Sequence, residues 1–166
     1  LPESFLISPE STMPTDLWRF AQALYQHPGV EDTCLHLQTQ GADVCLLLCA
    51  AWLEHRQIGC SHERAETLRN LVHPWQQQVV MPLRQLRQSW REAAQSDNAL
   101  AQLREQVKQL ELTAEREQLE RLAASSQHWS LVETNASLSW LESLAPERAD
   151  RDALHRLRIA AAQLSA

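Results

Sequence analysis

Apolar residues recur every three or four positions along most of this chain, which is the spacing of one face of an α-helix. The longest such pattern covers residues 68–94. Its apolar positions are Leu71, Trp75, Val79, Leu83, Leu86, Trp90 and Ala94. Pro74 and Pro82 interrupt this stretch, and each removes a backbone hydrogen-bond donor. The pattern therefore predicts a kinked helix, or two abutting helices, with one apolar stripe facing a core.

Cap and turn residues divide the remainder of the first half into shorter helices. Residues that suit a helix N-terminus occur at Thr15–Asp16, Val30 with its following acids, Asp43 and Ser61. Pro28–Gly29 and Gly41 are typical helix ends. Residues 43–56 are apolar nearly all round, so they are expected to form the buried central helix of a bundle.

After residue 97 the apolar stripe becomes narrower. Heptad-like spacing relates Leu100, Leu103, Val107, Leu110 and Ala114. Such a stripe is typical of a helical hairpin or a short coiled coil. A further helix is predicted to restart at Ser125–Ser126 and to end at Pro146. It would carry Trp129, Val132, Ala136, Trp140 and Leu144 in register. A last amphipathic helix is predicted over residues 151–164.

These patterns predict an all-α fold, an antiparallel helical bundle with a C-terminal extension that resembles a hairpin or coiled coil. We assign the bundle to residues 15–95. Residues 97–166 form the extension, which either packs on the bundle or projects from it. Residues 1–14 hold three prolines and no periodicity, so they are predicted to be a flexible leader.

Composition and charge narrow the classes of function. The formal net charge of −6 argues against a general nucleic-acid binder, since such proteins present a strong positive patch. The sequence has no signal-peptide pattern and no run of roughly 18 apolar residues, so we expect a cytoplasmic protein without a membrane span. Four cysteines in 166 residues are too few for a disulfide framework.

Three segments in the first half carry a family resemblance. They read LWRFAQALYQHPGV, CLHLQTQGADVCLLLCAAWL and PWQQQVVMPLRQLR. The chain resembles, over about residues 17–90, a family of uncharacterised proteobacterial proteins, DUF2390. The resemblance implies a bacterial, cytoplasmic protein whose part beyond residue 97 varies among relatives. Cys45 stands where many relatives are expected to carry an asparagine. The resemblance implies no particular activity.

Thiols and imidazoles near the third helix form a candidate metal site. The candidate ligands are Cys45, Cys49, Cys60 and His62, with His55 nearby. Four such ligands suit tetrahedral zinc. However, the first two lie in a run that should be buried, and the Cys-x-x-Cys pattern of structural zinc is missing. We therefore predict core thiols and solvated histidines, with no metal and no cofactor.

The sequence lacks a recognisable catalytic constellation. It has no Gly-x-Ser-x-Gly elbow, no glycine-rich phosphate loop and no His-Glu-x-x-His motif. Cys34 and His36 are two positions apart on a helix and point to different sides. We predict a protein that is not an enzyme.

Two groups of residues are candidates for partner binding. Arg84, Arg87 and Arg91 fall at helical spacing, so they form either a solvated face or a surface for phosphate or an acidic partner. Trp129 and Trp140 would form a binding anchor if the last helices left them uncovered. Our first hypothesis is therefore an interaction or regulatory protein that acts through protein–protein contacts, with a protein partner or a second copy.

Two alternatives remain open from the sequence. The bundle could instead hold a small apolar ligand or cofactor in a cavity lined by Cys49, Trp52 and Trp75. Asp43 is either the cap of the third helix or a buried acid paired with Arg19 or Arg84.

Overall fold

Helices form every regular element in residues 16–129 and 138–164, the part of the chain that the structure, a computed structural model, describes. The α-helices are α1 (Asp16–Gln26), α2 (Val30–Thr39), α3 (Val44–His55), α4 (His62–Trp75), α5 (Met81–Ser89), α6 (Asn98–Ser126), α7 (Trp140–Leu144) and α8 (Arg151–Gln163). A π-helical turn, Gln76–Val80, joins α4 to α5, and a short 3₁₀ turn, Ala93–Gln95, precedes α6. The all-α prediction is confirmed. The predicted leader, residues 1–14, and the predicted cap residue Thr15 lie outside the described residues.

Helix α3 lies at the centre of the core. Every residue from Val44 to Leu53 is buried, as its uninterrupted apolar run predicted. Its neighbours include α1, α6, α7 and α8. A helix that is apolar on all sides is stable only when other helices cover each side. Helices α1, α6, α7 and α8, together with α2 and α4, therefore enclose α3.

Two glycines adopt the left-handed conformation, Gly29 directly before α2 and Gly41 shortly after it. Gly29 has a φ of 83° and Gly41 a φ of 90°. A side chain at either position would strain the backbone, so glycine is the residue that permits these tight reversals. The next helices begin with side-chain caps: a carboxyl oxygen of Asp43 accepts from Leu46 N–H, and the Ser61 hydroxyl accepts from Arg64 N–H.

The break predicted near the two prolines takes the form of a π-helical turn. Pro74 lies in the last turn of α4, and Pro82 is the second residue of α5. Between them, Met81 N–H donates to the carbonyl of Gln76, five residues earlier, instead of the usual four. The turn thus accommodates one extra residue without ending the helix. We call the continuous unit of α4, the π-helical turn and α5 the α4–α5 rod.

The predicted core-facing stripe of this rod is wrong by one position. The side that is buried carries Ala65, Leu68, Val72, Gln76 and Val80, whereas Leu71 and Leu86 are 38% and 39% exposed. A glutamine on the buried side interrupts its apolar pattern. For that reason the neighbouring side, with its tryptophans and leucines, looked more continuous in the sequence.

Helix α6 is one uninterrupted helix of 29 residues that packs against α1, α3, α4 and α5. The predicted restart at Ser125–Ser126 is wrong, because these two residues are the last of α6. The predicted positions Val132 and Ala136 lie outside the described residues. Helix α8 is present close to its predicted bounds.

Residues from both predicted segments share one core. Leu119 and Leu122 of α6, Trp140 of α7 and Leu157 of α8 belong to the same cluster of buried side chains as α3. Residues beyond position 97 therefore contribute to the same hydrophobic core as residues of the first segment. None of the helices in the described ranges combines the length and the apolar character that crossing a membrane requires.

Candidate functional site

A buried cluster of ion pairs joins α5 to α6. Arg84 donates from Nε to Glu111 Oε1 at 3.0 Å and from Nη2 to Glu115 Oε1 at 2.8 Å. Arg87 donates from Nε to Glu111 Oε2 at 2.5 Å. The two arginine side chains are only 11% and 14% exposed, and the two carboxylates are almost fully covered. We refer to these four residues as the ion-pair cluster.

The ion-pair cluster corrects one sequence expectation. Together with Arg91, Arg84 and Arg87 were predicted to form either a solvated helix face or a surface that binds phosphate or an acidic partner. Instead they meet acids from the same chain, about one helix turn apart on α6. Buried charges persist only when oppositely charged and hydrogen-bonded groups surround them. These two arginines therefore hold the α5–α6 pair together.

A basic cleft lies between α2 and the α5–α6 pair. It has a volume of about 540 Å³. Its charged lining consists of Arg87, Arg91, Arg104 and Lys108, and no acidic residue lines it. Amide side chains, including that of Gln95, complete the polar lining. Lys108 is the only lysine of the chain.

Two of the four cations in the basic cleft remain available to a ligand. Arg87 is held by Glu111, and Arg104 donates from Nε to the Arg87 carbonyl at 2.9 Å. Neither Arg91 nor Lys108 forms an ion pair with any residue in the described ranges. A concave surface lined by one sign of charge concentrates its field, so this cleft attracts anionic groups despite the negative net charge of the chain.

A second cleft is lined by Arg84 of the ion-pair cluster and by residues at the start of α3. We call it the Gln76 cleft; its volume is about 320 Å³. Its polar lining includes Asp43, Arg69, Gln76 and Arg84. Its apolar lining comes from α3, from the α4–α5 rod and from residues 144–146. Gln38 lines both clefts.

Asp43 is the cap of α3, and its second oxygen is paired with an amide and not with either of the two arginines that the sequence offered. One oxygen accepts from Leu46 N–H at 3.2 Å, which makes it the N-cap of α3. The other accepts from Gln118 Nε2 at 2.5 Å, and not from Arg19 or Arg84. Burial raises the pKa of the Asp43 carboxyl, while the hydrogen bonds from Leu46 and Gln118 oppose that shift.

The raised pKa of Asp43 gives a prediction about pH. A carboxyl whose pKa is higher in the folded state than in the unfolded state destabilises the fold once pH rises above the unfolded value, about 3.9. Asp43→Asn removes this charge but keeps a good capping residue. We expect the variant to gain stability relative to wild type as pH rises from 4 to 8, measured by urea unfolding across that range. A difference that stayed constant with pH would contradict this prediction.

The tryptophans predicted as a binding anchor lie inside the fold. Trp140 is 1% exposed, and its indole N–H donates to the Ile58 carbonyl at 2.7 Å. Trp129 is partly buried and stacks on Trp140, with ring centroids 5.7 Å apart. As a correction to the sequence expectation, α7 turns Trp140 into the core, so it is not available to a partner in this structure.

The candidate metal ligands lie in different surroundings. Cys45 and Cys49 are buried in α3, and burial raises the pKa of both thiols. The thiol of Cys60 lies 3.6 Å from the Ser143 hydroxyl, and His62 is exposed at the start of α4. Within residues 16–129 and 138–164, no three histidine, cysteine or acidic side chains are placed to share a metal ion.

The residues proposed to line an apolar ligand cavity do not line either cleft. Cys49 and Trp52 are packed within the core, and Trp75 donates from its indole N–H to the Ala114 carbonyl at 2.9 Å. Conversely, sequence reasoning missed Gln76, Arg104 and Lys108. The only sequence signal for the last two was their spacing of four residues, which places them on one face of α6.

The described residues form an all-helical protein in which Arg84 of the ion-pair cluster lines a mixed polar cleft and Arg87 lines a basic cleft. The family model described as "Protein of unknown function (DUF2390)" matches residues 16–122, which is more than half of the chain. The chain belongs to this family. The match includes the whole lining of the basic cleft, and it continues through most of α6, beyond the boundary predicted at residues 95–97. No curated protein and no solved structure matches the chain.

Proposed function

We propose that this chain is a non-enzymatic binding protein that holds an acidic segment of a protein partner in the basic cleft. The observation that carries the proposal is the lining of that cleft, with four cations and no acid, on a chain of net charge −6. Guanidinium and ammonium groups form charge-assisted hydrogen bonds with carboxylates. An acidic segment is therefore the partner that this lining complements.

The arrangement of the four cations supports a binding role. Arg87 and Arg104 are fixed by hydrogen bonds, so they line the cleft without having to be ordered by the partner. Arg91 is exposed, and Lys108 is half-buried. Preordered groups lose less conformational entropy when a partner binds. Because only two cations are free, the interaction is expected to be reversible and weakened by salt.

Nucleic acid is the less suitable anion for this surface. Proteins that bind nucleic acids neutralise many phosphates along a stripe or broad patch. Here four cations line one concave site instead of a long stripe, and the chain as a whole would repel a polyanion at longer range.

Binding of a labelled peptide to the full chain tests the proposal. Fluorescence anisotropy at low ionic strength compares a glutamate-rich peptide with the same peptide in which glutamine replaces glutamate. We expect the glutamate peptide to bind and the glutamine peptide not to. Raising the salt concentration should weaken binding, because the contacts are ionic.

Charge-reversal variants locate the binding to the basic cleft. Arg91→Glu with Lys108→Glu should weaken binding of the glutamate peptide by at least about tenfold, since two attractive contacts become repulsive. Arg19→Glu with Arg156→Glu changes the net charge equally at exposed positions outside the cleft. Equal losses in both double variants, equal binding of the two peptides, or tighter binding of a DNA oligonucleotide would overturn the proposal.

A further inference from the structure

We propose that the Gln76 cleft binds a small carboxylic acid, whose carboxylate contacts Gln76 and Arg84 and whose hydrocarbon part packs on Val72 and Met81. This site is separate from the basic cleft and does not depend on the function proposed for it.

The side chain of Gln76 is the first observation. It is 8% exposed, it lines the cleft, and its amide has no hydrogen-bond partner among the described residues. The amide atoms are not themselves fully buried, so they are open to the space of the cleft. The π-helical turn begins at Gln76, and such turns occur frequently at functional sites. An amide that faces a cleft without a partner among the described residues can form hydrogen bonds with a ligand there.

Unused donors in the cleft indicate the kind of ligand. Arg84 is held through Nε and Nη2, which leaves Nη1 without a hydrogen bond to the described residues. Arg69 uses Nη2 to donate to the Ser143 carbonyl, and its Nη1 is likewise unused within those residues. Together with the Gln76 amide, these groups supply mostly donors. A carboxylate, which only accepts, is the small group that fits such a set.

Asp43 lies in the same cleft but does not exclude an anion. Both of its oxygens already accept hydrogen bonds, from Leu46 N–H and from the Gln118 amide. Burial raises the pKa of this carboxyl, so its negative charge is less favoured than that of an exposed aspartate. Two cations, Arg69 and Arg84, also line the cleft; Glu111 and Glu115 balance the charge of Arg84, whereas no described acid pairs with Arg69.

The apolar wall and the volume limit the size of the ligand. Leu46, Val72 and Met81 supply apolar lining to the cleft, as do residues 144–146. A volume of about 320 Å³ is near the lower end of the range for small-molecule pockets. The site therefore suits a carboxylic acid with a short hydrocarbon chain.

Calorimetric titration of the full chain with two matched probes tests this inference. The probes are 4-methylpentanoate and 4-methylpentanamide, which have the same hydrocarbon part and differ in the carboxylate. We expect the acid to bind with one site per chain and the amide to bind at least about tenfold more weakly, because it lacks the charge.

Two variants in the π-helical turn locate the binding: Gln76→Leu changes the cleft, and Gln78→Leu is its control. Gln76→Leu removes the amide at similar volume, and it should weaken binding of the acid at least about tenfold. In the absence of ligand it should unfold at about the same temperature as wild type or higher, since the replaced side chain is largely buried and makes no hydrogen bond to the described residues. Gln78→Leu alters an exposed neighbour that does not line the cleft, and it should bind as wild type does.

The outcomes separate this inference from the proposed function. No binding of the acid, equal binding of acid and amide, or full binding by Gln76→Leu would overturn it. The double variant Arg91→Glu with Lys108→Glu should retain binding of the acid, because neither residue lines the Gln76 cleft. Loss of acid binding in that variant would also count against a separate site.

Discussion

Replacing Glu111 by glutamine is expected to lower the free energy of unfolding by about 3–5 kcal/mol, the range found when one member of a buried ion pair is removed. Glu111 is fully buried and accepts from both Arg84 and Arg87. In the variant two largely covered guanidinium groups would share a single carboxylate, that of Glu115. The desolvation cost of the arginines would remain while most of the compensating attraction was lost.

An exposed ion pair on the same helix gives the matched control. Glu117 and Arg121 pair at 2.9 Å, with side chains 48% and 40% exposed. Glu117→Gln should therefore change stability by less than about 1 kcal/mol, because water screens the pair. Urea unfolding followed by circular dichroism measures both variants. Similar values for the two would show that the ion-pair cluster does not hold α5 against α6.

Truncating Trp140 to alanine is expected to cost about 3–5 kcal/mol of stability. The side chain fills space between α3 and α7, stacks on Trp129, and satisfies the carbonyl of Ile58. Alanine would leave a cavity and an unpaired carbonyl in its place. The exposed residue Ile159 on α8 is a suitable control, since it is 45% exposed. Ile159→Ala should be nearly neutral.

The same variant distinguishes a core residue from a binding anchor. A core role predicts a lower thermal unfolding temperature for Trp140→Ala and an early loss of near-ultraviolet circular dichroism. An anchor role predicts unchanged unfolding and loss of partner binding only. Unchanged unfolding would therefore contradict the packing described for α7.

Local features of the fold were predictable because they depend on a few neighbouring residues. The caps at Asp43 and Ser61 and the reversals at Gly29 and Gly41 are properties of one turn of chain each. The central position of α3 followed from its apolar run, because such a helix has to be covered on every side. The family resemblance was confirmed, and the match extends further than the quoted segments.

Features that depend on long-range pairing were not predictable. Arg84 and Glu111 are separated by 27 positions, and nothing in the sequence aligns one with the other. The buried side of α4 was misassigned because Gln76 is polar, although the glutamine is the residue that faces a cleft. Positions where a polar residue interrupts a buried face are frequently functional, and pattern reasoning fails at such positions for that reason.

The π-helical turn between α4 and α5 has a consequence for the whole second half of the rod. Each residue of an α-helix advances the chain by about 100° around its axis. Deleting one residue from Gln76–Val80 would restore regular geometry, yet it would rotate α5 by roughly that angle. Both arginines would then swing away from Glu111, and both clefts would lose part of their walls. The extra residue in the π-helical turn therefore fixes the rotation of α5 about its axis. That rotation in turn sets the position of the two arginines relative to Glu111 and to both clefts.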